Sequence, residues 1–315
     1  MYRIGIDLGG TNIAAGIVNN SFKIIKKMST PTLAQREPEA IVDDMAALCK
    51  KLLSEHGITL NDIERVGIAS PGIANTKTGV IEYANNLPFK NLPISGMLAE
   101  RLGISVEKIR VANDANAAAL GEAVAGAAKG SDSSVMITLG TGVGGGVIID
   151  GRLLAGFNFA GGELGHIVIE ADGHPCSCGR RGCWEAYSSA TALVRMTKEK
   201  IDECRAQDRY TKMAEAERIS GRTACDCMRA GDGAAREVYD KYIHYLAIGL
   251  GNVINVFQPE IISLGGGISG EGQSLIDSLI PEVAKEHYGT GLVKAPELRI
   301  AKLGNDAGII GAAAL

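Results

Sequence analysis

The sequence has no excess of basic residues and no long apolar run. Its 32 Lys and Arg residues are outnumbered by 36 Asp and Glu residues, which gives a net charge of −4. Proteins that bind nucleic acid usually present a basic face, so this balance argues against a nucleic-acid partner. No apolar stretch approaches the length of a membrane span, and the first residues enter a predicted strand without a signal-peptide layout. We therefore expect neither a nucleic-acid nor a membrane partner.

The sequence also lacks a disulfide framework and is poor in aromatic residues. Its cysteine count is seven, an odd number, and four of them fall in predicted helices: Cys49, Cys204, Cys225 and Cys227. Unpaired cysteines of this kind suit a reducing cytoplasm. Aromatic residues make up 4% of the chain whereas glycine occurs 41 times, so close approaches of the backbone should be numerous.

The remaining cysteines form a compact cluster. Cys176, Cys178 and Cys183 fall within eight positions, and His166 and His174 lie just upstream. Thiolates and imidazoles are the ligands that Zn²⁺ prefers, and four of them complete a tetrahedral structural site. The spacing predicts structural zinc in preference to three free thiols. It leaves open which of the two histidines is the fourth ligand.

Two carboxylates flank this cluster. Glu163 precedes His166 by three residues, and Glu185 follows Cys183 by two. A metal that fixes the loop would also fix both carboxylates, and a zinc-bound imidazole keeps a second nitrogen for a hydrogen bond. Such a row of polar groups suits a polyhydroxylated ligand. The alternative is that both glutamates are solvated surface residues.

A glycine-rich turn follows the first predicted strand. Asp7 ends that strand, and Gly9, Gly10, Thr11 and Asn12 form the turn. Glycines let a phosphate approach backbone N–H groups, and a carboxylate holds Mg²⁺ through water. The turn is neither a Walker loop nor a dinucleotide fingerprint. An ordinary tight turn is the alternative.

The same plan recurs at residues 134–155, where a strand leads into a turn containing Thr141 and Gly142. Two copies of strand, Gly/Thr turn and strand predict a duplicated domain. A nucleoside triphosphate held between two such hairpins, in a cleft between two domains, is the simplest interpretation.

Two strand ends carry further candidates. Asn113 and Asp114 lie between a strand and an Ala-rich helix, where local sequence favours a helix N-cap and a general base is the functional alternative. Gly265, Gly266 and Gly267 follow a buried strand and suit either a flat adenine ring or a tight turn. Elsewhere, periodicity predicts helices over 38–56, 232–257 and 273–286, and an irregular loop over 85–95.

Taken together, these motifs resemble the ROK family of bacterial sugar kinases and related repressors. The resemblance covers essentially the whole chain. The motifs that carry it are Asp7-Leu-Gly-Gly-Thr-Asn12, Asn113-Asp114, Leu139-Gly-Thr-Gly-Val-Gly144, Glu163-Leu-Gly-His166, Cys176-Ser-Cys178-Gly-Arg-Arg-Gly-Cys183-Trp-Glu185 and Leu264-Gly-Gly-Gly267. The resemblance implies an α/β protein with the duplicated actin-like (ribonuclease H-like) ATPase fold, its two domains lying around a cleft. We expect one domain over 1–114 plus 303–315, and a larger one, with the zinc-bound sugar loop, over 115–302.

The resemblance also implies roles for individual residues. Asp114 would be the general base, and His166, Cys176, Cys178 and Cys183 would ligate zinc. The sugar hydroxyls would be held by Gly72, Asn86, Asn113, Asp114, Glu163, His166 and Glu185. Phosphates, Mg²⁺ and adenosine would be held by Asp7, Gly9, Gly10, Thr11, Asn12, Thr141, Gly142, Gly265, Gly266 and Gly267.

Within the family, the zinc-containing ATP-dependent glucokinases are most like this chain. The implied function is therefore phosphorylation of a hexose, glucose before others, at its 6-hydroxyl by a cytoplasmic homodimer. Kinases of N-acetylmannosamine, fructose, allose or N-acetylglucosamine are the alternative, and polyphosphate or ADP could replace ATP as donor. A sugar-sensing repressor is disfavoured because the phosphate hairpin begins at residue 4. A zinc-ribbon nucleic-acid binder is disfavoured because there is only one cysteine cluster and its flanks are acidic.

Overall fold

The computed structural model describes all 315 residues, and its strands and helices alternate along the chain. The strands are β1 (Tyr2–Leu8), β2 (Asn12–Val18), β3 (Ile24–Pro31), β4 (Ile63–Ser70), β5 (Ile73–Asn75), β6 (Val80–Tyr83), β7 (Lys90–Leu92), β8 (Ile109–Asn113), β9 (Ser134–Leu139), β10 (Val143–Ile149), β11 (Arg152–Leu153), β12 (Ile261–Gly265) and β13 (Glu297–Ile300). The helices are α1 (Pro38–His56), α2 (Ile94–Leu102), α3 (Asp114–Ala125), α4 (Glu185–Ser188), α5 (Ala190–Ala206), α6 (Thr223–Arg229), α7 (Gly233–Phe257), α8 (Gln273–Glu286) and α9 (Ala307–Ala314). None of these helices is long and apolar enough to cross a bilayer.

Internal contacts divide the chain into two units. Unit 1 comprises Met1–Met136, Gly146–Gly162 and Ala301–Leu315, and unit 2 comprises Ile137–Gly145 and Glu163–Ile300. The sequence-based domain boundaries, after residues 114 and 302, stay predictions.

The two large sheets share one topology. The first sheet has the order β3-β2-β1-β4-β8, and the second has the order β11-β10-β9-β12-β13. In the first, β1 pairs antiparallel with β2 and parallel with β4, and β4 pairs parallel with β8. Each sheet thus joins an antiparallel meander to later strands in the same arrangement. The predicted duplication is confirmed.

Helices cover both faces of the first sheet. On one face α1 and α2 enclose an aliphatic core that includes Ile4, Ile6 and Ile68. On the other face α9 packs on β1 and β4. A Cβ at Gly5 or Gly67 would lie within 2 Å of a carbonyl oxygen of α9 (1.8 and 1.7 Å), so both glycines are needed for this close approach. The N-terminal end of α9 is thereby brought against the end of β1.

Unit 1 also contains a small sheet, β5-β6-β7, that the sequence did not predict. The predicted irregular loop over 85–95 contains β7 and the start of α2. These strands have three or four residues each, too few for an alternating pattern to be read.

In unit 2, the long helix α7 is the central element. It packs against α5, α6 and α8, and the single tryptophan, Trp184, is fully buried beside it. The indole N–H of Trp184 donates to the carbonyl of Tyr245 at 3.1 Å. A Cβ at Gly249 would lie 1.9 Å from the indole ring, so the glycine opens space for it. Trp184 thus anchors the end of the cysteine loop, and with it the neighbouring Glu185, to α7.

Candidate functional site

The turn after β1 is closed by its own backbone and held by β3. The N–H of Gly9 donates to the carbonyl of Asn12 at 2.9 Å. Thr32 holds the turn from outside, since its hydroxyl donates to Gly9 O at 2.6 Å and its N–H donates to Thr11 O at 2.9 Å. The predicted phosphate turn is therefore a rigid feature of unit 1. Thr32 was missed from the sequence because it lies some twenty residues downstream.

Asp7 is desolvated where β1 ends. A Cβ at Gly308, the second residue of α9, would lie 2.6 Å from the Asp7 carboxyl group, so the helix leaves no space for water on that side. Burial and, to a smaller extent, the negative charge of Asp114 together raise the pKa of Asp7 to about 6. A cation beside Asp7 would reverse both effects, as expected for a carboxylate that holds Mg²⁺.

Asn113 and Asp114 lie at the start of α3, and only Asn113 caps the helix. Asn113 is the N-cap of α3, and its side-chain oxygen accepts the N–H of Asn116 at 3.1 Å. Asp114 is the first helical residue, and its carboxylate accepts the N–H of Ala115 at 2.8 Å. Burial raises the pKa of Asp114. The cap is thus Asn113, which leaves the carboxylate of Asp114 available for chemistry.

Gly72 and Asn86 lie near these groups in unit 1. The carbonyl of Gly72 accepts a hydrogen bond from the side-chain amide of Asn113 at 3.1 Å. Gly72 has φ +88°, and a Cβ there would lie 2.0 Å from Tyr83 O, so only glycine fits. Asn86 is exposed and lies against Gly10, whose Cβ would be 3.2 Å from Asn86 O. Gly72 therefore orients Asn113, and Asn86 borders the phosphate turn.

In unit 2, the second glycine turn is joined to Glu185. The N–H of Val143 donates to Glu185 Oε2 at 3.0 Å, and a Cβ at Gly142 would lie only 2.2 Å from the same oxygen. The start of α5 also holds this turn, because Thr191 Oγ1 donates to Thr141 O at 2.8 Å. A cavity of about 450 Å³ is lined by Thr141, Gly142, Cys176 and Glu185. The predicted phosphate turn of unit 2 and the predicted sugar carboxylate thus share one cavity.

The cysteine cluster has the geometry of a metal site. One ligand atom from each of His166, Cys176, Cys178 and Cys183 lies within 4.8 Å of all the others. The Sγ atoms of Cys178 and Cys183 are 3.7 Å apart, and Cys176 Sγ lies 3.6 Å from His166 Nδ1. Tetrahedral zinc with bonds of about 2.3 Å to sulfur and about 2.0 Å to nitrogen requires about 3.8 and 3.6 Å. The residues therefore fit Zn²⁺.

The structure distinguishes between the two candidate histidines. His166 contributes Nδ1 to the cluster, whereas His174 Nε2 lies 2.8 Å from Arg195 Nη1. A guanidinium group only donates, so His174 Nε2 accepts and His174 is neutral. Burial and the charge of Arg195 lower the pKa of His174. His166, not His174, is thus the histidine of the metal geometry.

The two flanking glutamates differ in their surroundings. Glu163 is exposed and precedes the short helical turn Leu164–His166, in which the N–H of His166 donates to Glu163 O at 3.0 Å. Glu185 Oε1 accepts the hydroxyl of Ser177 at 3.1 Å and lies 3.7 Å from Cys176 Sγ. Glu185 is therefore already oriented, whereas Glu163 is free to meet a ligand. Ser177 was missed because nothing in the local sequence shows that it faces Glu185.

The three glycines after β12 have different surroundings. Gly266 has φ +84°, and a Cβ there would lie 2.5 Å from Leu139 O, so the turn presses on the end of β9. A Cβ at Gly267 would meet nothing within 4 Å. Tight packing therefore explains Gly266, whereas Gly267 leaves open space.

Comparison with known proteins supplies independent information. The sequence profile of the ROK family matches residues 3–315. A glucokinase of Thermotoga maritima is 37% identical over 316 residues, which cover 99% of this chain and 96% of the relative. A ROK family glucokinase from Streptomyces griseus, solved in complex with glucose and AMPPNP, is 32% identical with a TM-score of 0.79 and covers 100% of this chain and 98% of its own. A ROK hexokinase from Thermus thermophilus is 34% identical with a TM-score of 0.81, covering 99% and 97%. These structures confirm the predicted duplicated actin-like fold.

Proposed function

This chain belongs to the ROK family, and we propose that it transfers the γ-phosphoryl group of ATP to the 6-hydroxyl of glucose. The similarity to glucokinases along nearly the full length of the chain supports this proposal. The observation that carries the chemistry is the carboxylate of Asp114, which is half-buried, does not cap α3 and has a pKa raised by desolvation.

Asp114 is the general base. The sugar oxygen forms a bond to the γ-phosphorus while the bond from that phosphorus to the β,γ-bridging oxygen breaks, and ADP leaves. The hydroxyl proton passes to Asp114. Burial raises the pKa of the Asp114 carboxyl group, which makes it a stronger proton acceptor. Asn113, fixed by Gly72, supports the sugar beside the base.

The remaining sugar contacts come from Gly72, Asn86, Glu163, His166 and Glu185. A carboxylate accepts hydrogen bonds from sugar hydroxyls, and the Nε2 of His166 remains for the ligand when Nδ1 serves the metal. Zinc would hold the loop that carries these groups and, with four protein ligands, would have no open position for catalysis.

The phosphates are bound by the two glycine turns. The turn at Gly9–Asn12 and the turn at Thr141–Gly142 offer N–H groups, and Gly265–Gly267 borders the adenosine. Mg²⁺, held by Asp7 through water, would neutralise phosphate charge, which is the main requirement of phosphoryl transfer. We propose further that the enzyme is a homodimer and that it acts in the cytoplasm. The cytoplasmic location is supported by the seven cysteines, none of which forms a disulfide.

A broader hexose kinase is the second candidate, favoured by the likeness to the Thermus thermophilus ROK hexokinase. Both candidates use the same base and differ only in the sugar. If polyphosphate or ADP were the phosphoryl donor, the glycine turns would bind its phosphates in place of those of ATP. Asp114 would still act as the general base.

A coupled assay of ADP release from Mg-ATP separates the candidates. The panel is glucose, mannose, fructose, allose, N-acetylglucosamine and N-acetylmannosamine, with polyphosphate as a second donor. We expect the highest kcat/KM for glucose.

In Asp114→Ala, kcat should fall about 10²–10⁴-fold, while calorimetry should show that glucose still binds. Turnover near that of the wild type would show that Asp114 is not the base, and no turnover of any sugar would overturn the kinase proposal.

A further inference from the structure

A second polar cavity lies in unit 2, and it shares only Arg195 with the cavity beside Glu185. Its volume is about 250 Å³, and it lies between the start of the cysteine loop, α5 and the middle of α7. Among its lining residues are Arg181, Tyr187, Arg195, Met196, Lys241 and Tyr245. None of these residues has a role in the proposed transfer, so the cavity requires an explanation of its own.

The charges around this cavity favour an anion. Three of its lining residues are cationic, and Asp172 is the one carboxylate among them. Arg195 is held by Glu199 and by Ala186 O, at 2.8 and 2.9 Å. The side chain of Lys241 is exposed and makes no hydrogen bond or ion pair in the structure. Because Glu199 neutralises the charge of Arg195, the remaining charges at the cavity are those of Lys241, Arg181 and Asp172. Their sum is positive.

A buried hydroxyl adds a directed donor. Tyr187 is 3% exposed, and its oxygen accepts the N–H of His174 at 2.8 Å. Its own proton has no acceptor in the structure and remains available to a ligand. A Cβ at Gly173 would lie 2.0 Å from this oxygen, so the glycine makes room for the hydroxyl at the cavity wall. The rings of Tyr187 and Tyr245 lie 4.5 Å apart.

We propose that this cavity binds a phosphoryl dianion, either inorganic phosphate or the phosphate of a sugar phosphomonoester. A guanidinium group, an ammonium group and a phenolic hydroxyl are the donors that bind such a group. The volume admits a phosphate with a small substituent. A halide or a carboxylate would use fewer of these donors, because it offers fewer acceptor oxygens.

The ligand would tie the cysteine loop to the helices behind it. The carbonyl of His174 accepts the N–H of Gly182 at 2.8 Å, and Arg195 holds the carbonyl of Ala186, which is next to Glu185. An anion bound by Arg181 of the cysteine loop and Lys241 of α7 would therefore link the loop to that helix. Phosphate concentration would thus act on the stiffness of the loop from outside the proposed active centre.

The test uses the zinc-loaded full chain and the methyl group of Met196 as a local probe. The protein is labelled with ¹³C-methyl methionine, which gives eight signals for its eight methionines, and Met196→Leu assigns the relevant one. Inorganic phosphate and glucose 6-phosphate are titrated separately, with chloride at matched ionic strength as a third arm. We expect a saturable shift of the Met196 signal with phosphate or its ester and none with chloride. Whichever of inorganic phosphate and glucose 6-phosphate saturates the shift at the lower concentration is the preferred ligand.

Substitutions at two exposed lysines of unit 2 complete the test. Lys241→Met should weaken the titration about tenfold, as expected for the loss of one charge-assisted contact, and Lys241→Glu should abolish it. Lys198→Met removes an exposed charge from α5 that does not line the cavity, and its titration should match that of the wild type. No shift up to tens of millimolar phosphate, or an equal response in the Lys241 and Lys198 variants, would overturn the proposal. The readout is binding, so it does not depend on whether the chain phosphorylates glucose.

Discussion

Replacing Asp7 by Asn should stabilise unit 1, and the gain should grow as pH rises. The side chain lies against the start of α9, where burial and the charge of Asp114 raise its pKa to about 6. An ionised carboxylate in this place costs free energy that a neutral amide of the same shape does not. The substitution therefore removes a charge that the fold tolerates poorly.

The magnitude follows from the two pKa values. The ordinary value for Asp7 is 3.8 and the folded-state value is about 6, a gap worth about 3 kcal/mol at about 1.36 kcal/mol for each tenfold change. Because the folded-state pKa is raised, folding favours the protonated carboxyl. The resulting stability is fully present below pH 3.8 and is lost as pH rises through about 6. Relative to Asp7→Asn, the wild-type protein should be less stable by about 3 kcal/mol at pH 8 and by about half of that at pH 5.

Thermal unfolding at these two pH values, without added magnesium or nucleotide, measures the difference. The stability difference between the two proteins thus changes by on the order of 1 kcal/mol from pH 5 to pH 8, which for a chain of this size corresponds to about 2 °C in Tm. Asp208→Asn, at an exposed aspartate of unit 2, is the matched control. A Tm difference between Asp7→Asn and wild type that is the same at pH 5 and pH 8 would refute the reasoning.

Three further predictions follow from unit 2. His166→Ala should lower the zinc content measured by mass spectrometry, whereas His174→Ala should keep about one zinc per chain; equal loss in both variants would contradict the ligand set. Verified removal of zinc by a chelator should raise the KM for glucose or unfold unit 2, because the loop loses its four-way anchor; unchanged activity and Tm would count against a structural metal. Gly142→Ala should displace the Glu185 carboxylate from the N–H of Val143, a charge-assisted contact worth about 1.5–3 kcal/mol, and so raise the glucose KM at least about tenfold. Gly140→Ala is its control, because a Cβ at Gly140 meets nothing within 4 Å, and identical kinetics in the two variants would refute the contact.

Long elements with strong periodicity were the predictable part of the fold. The helix predicted over 38–56 is observed at Pro38–His56, with Gly57 in the left-handed conformation at its end. The helices predicted over 232–257 and 273–286 are observed at Gly233–Phe257 and Gln273–Glu286. In each case apolar residues recur at the helical period, so local sequence and tertiary packing favour the same structure.

The predicted alternatives at residues 113–114 show where local sequence stops being informative. Sequence alone favoured a helix cap over a general base, and it could not divide the two roles between adjacent residues. The structure shows Asn113 as the cap of α3, and it adds a contact between distant segments, the hydrogen bond from the side-chain amide of Asn113 to Gly72 O. The role of Asp114 as a general base stays a prediction. Glu185 likewise contacts residues outside its own helix, namely Val143 at the start of β10 and Ser177 in the cysteine loop. Such contacts depend on the topology of the whole sheet and leave no trace in a short window of sequence.

The carboxylates of Asp7 and Asp114, at the edge of the first sheet, lower the stability of the folded protein when they are ionised. Asp7 and Asp114 both have raised pKa values because burial disfavours their charge. Gly308, where any side chain would strike Asp7, keeps α9 close enough to exclude water. A sequence optimised for stability alone would place neutral residues at both positions. The cost is understandable if a cation and a polar substrate complete the site, because ligand binding then supplies the interactions that water would otherwise provide. The stabilisation expected for Asp7→Asn and the loss of turnover expected for Asp114→Ala are thus two consequences of one arrangement.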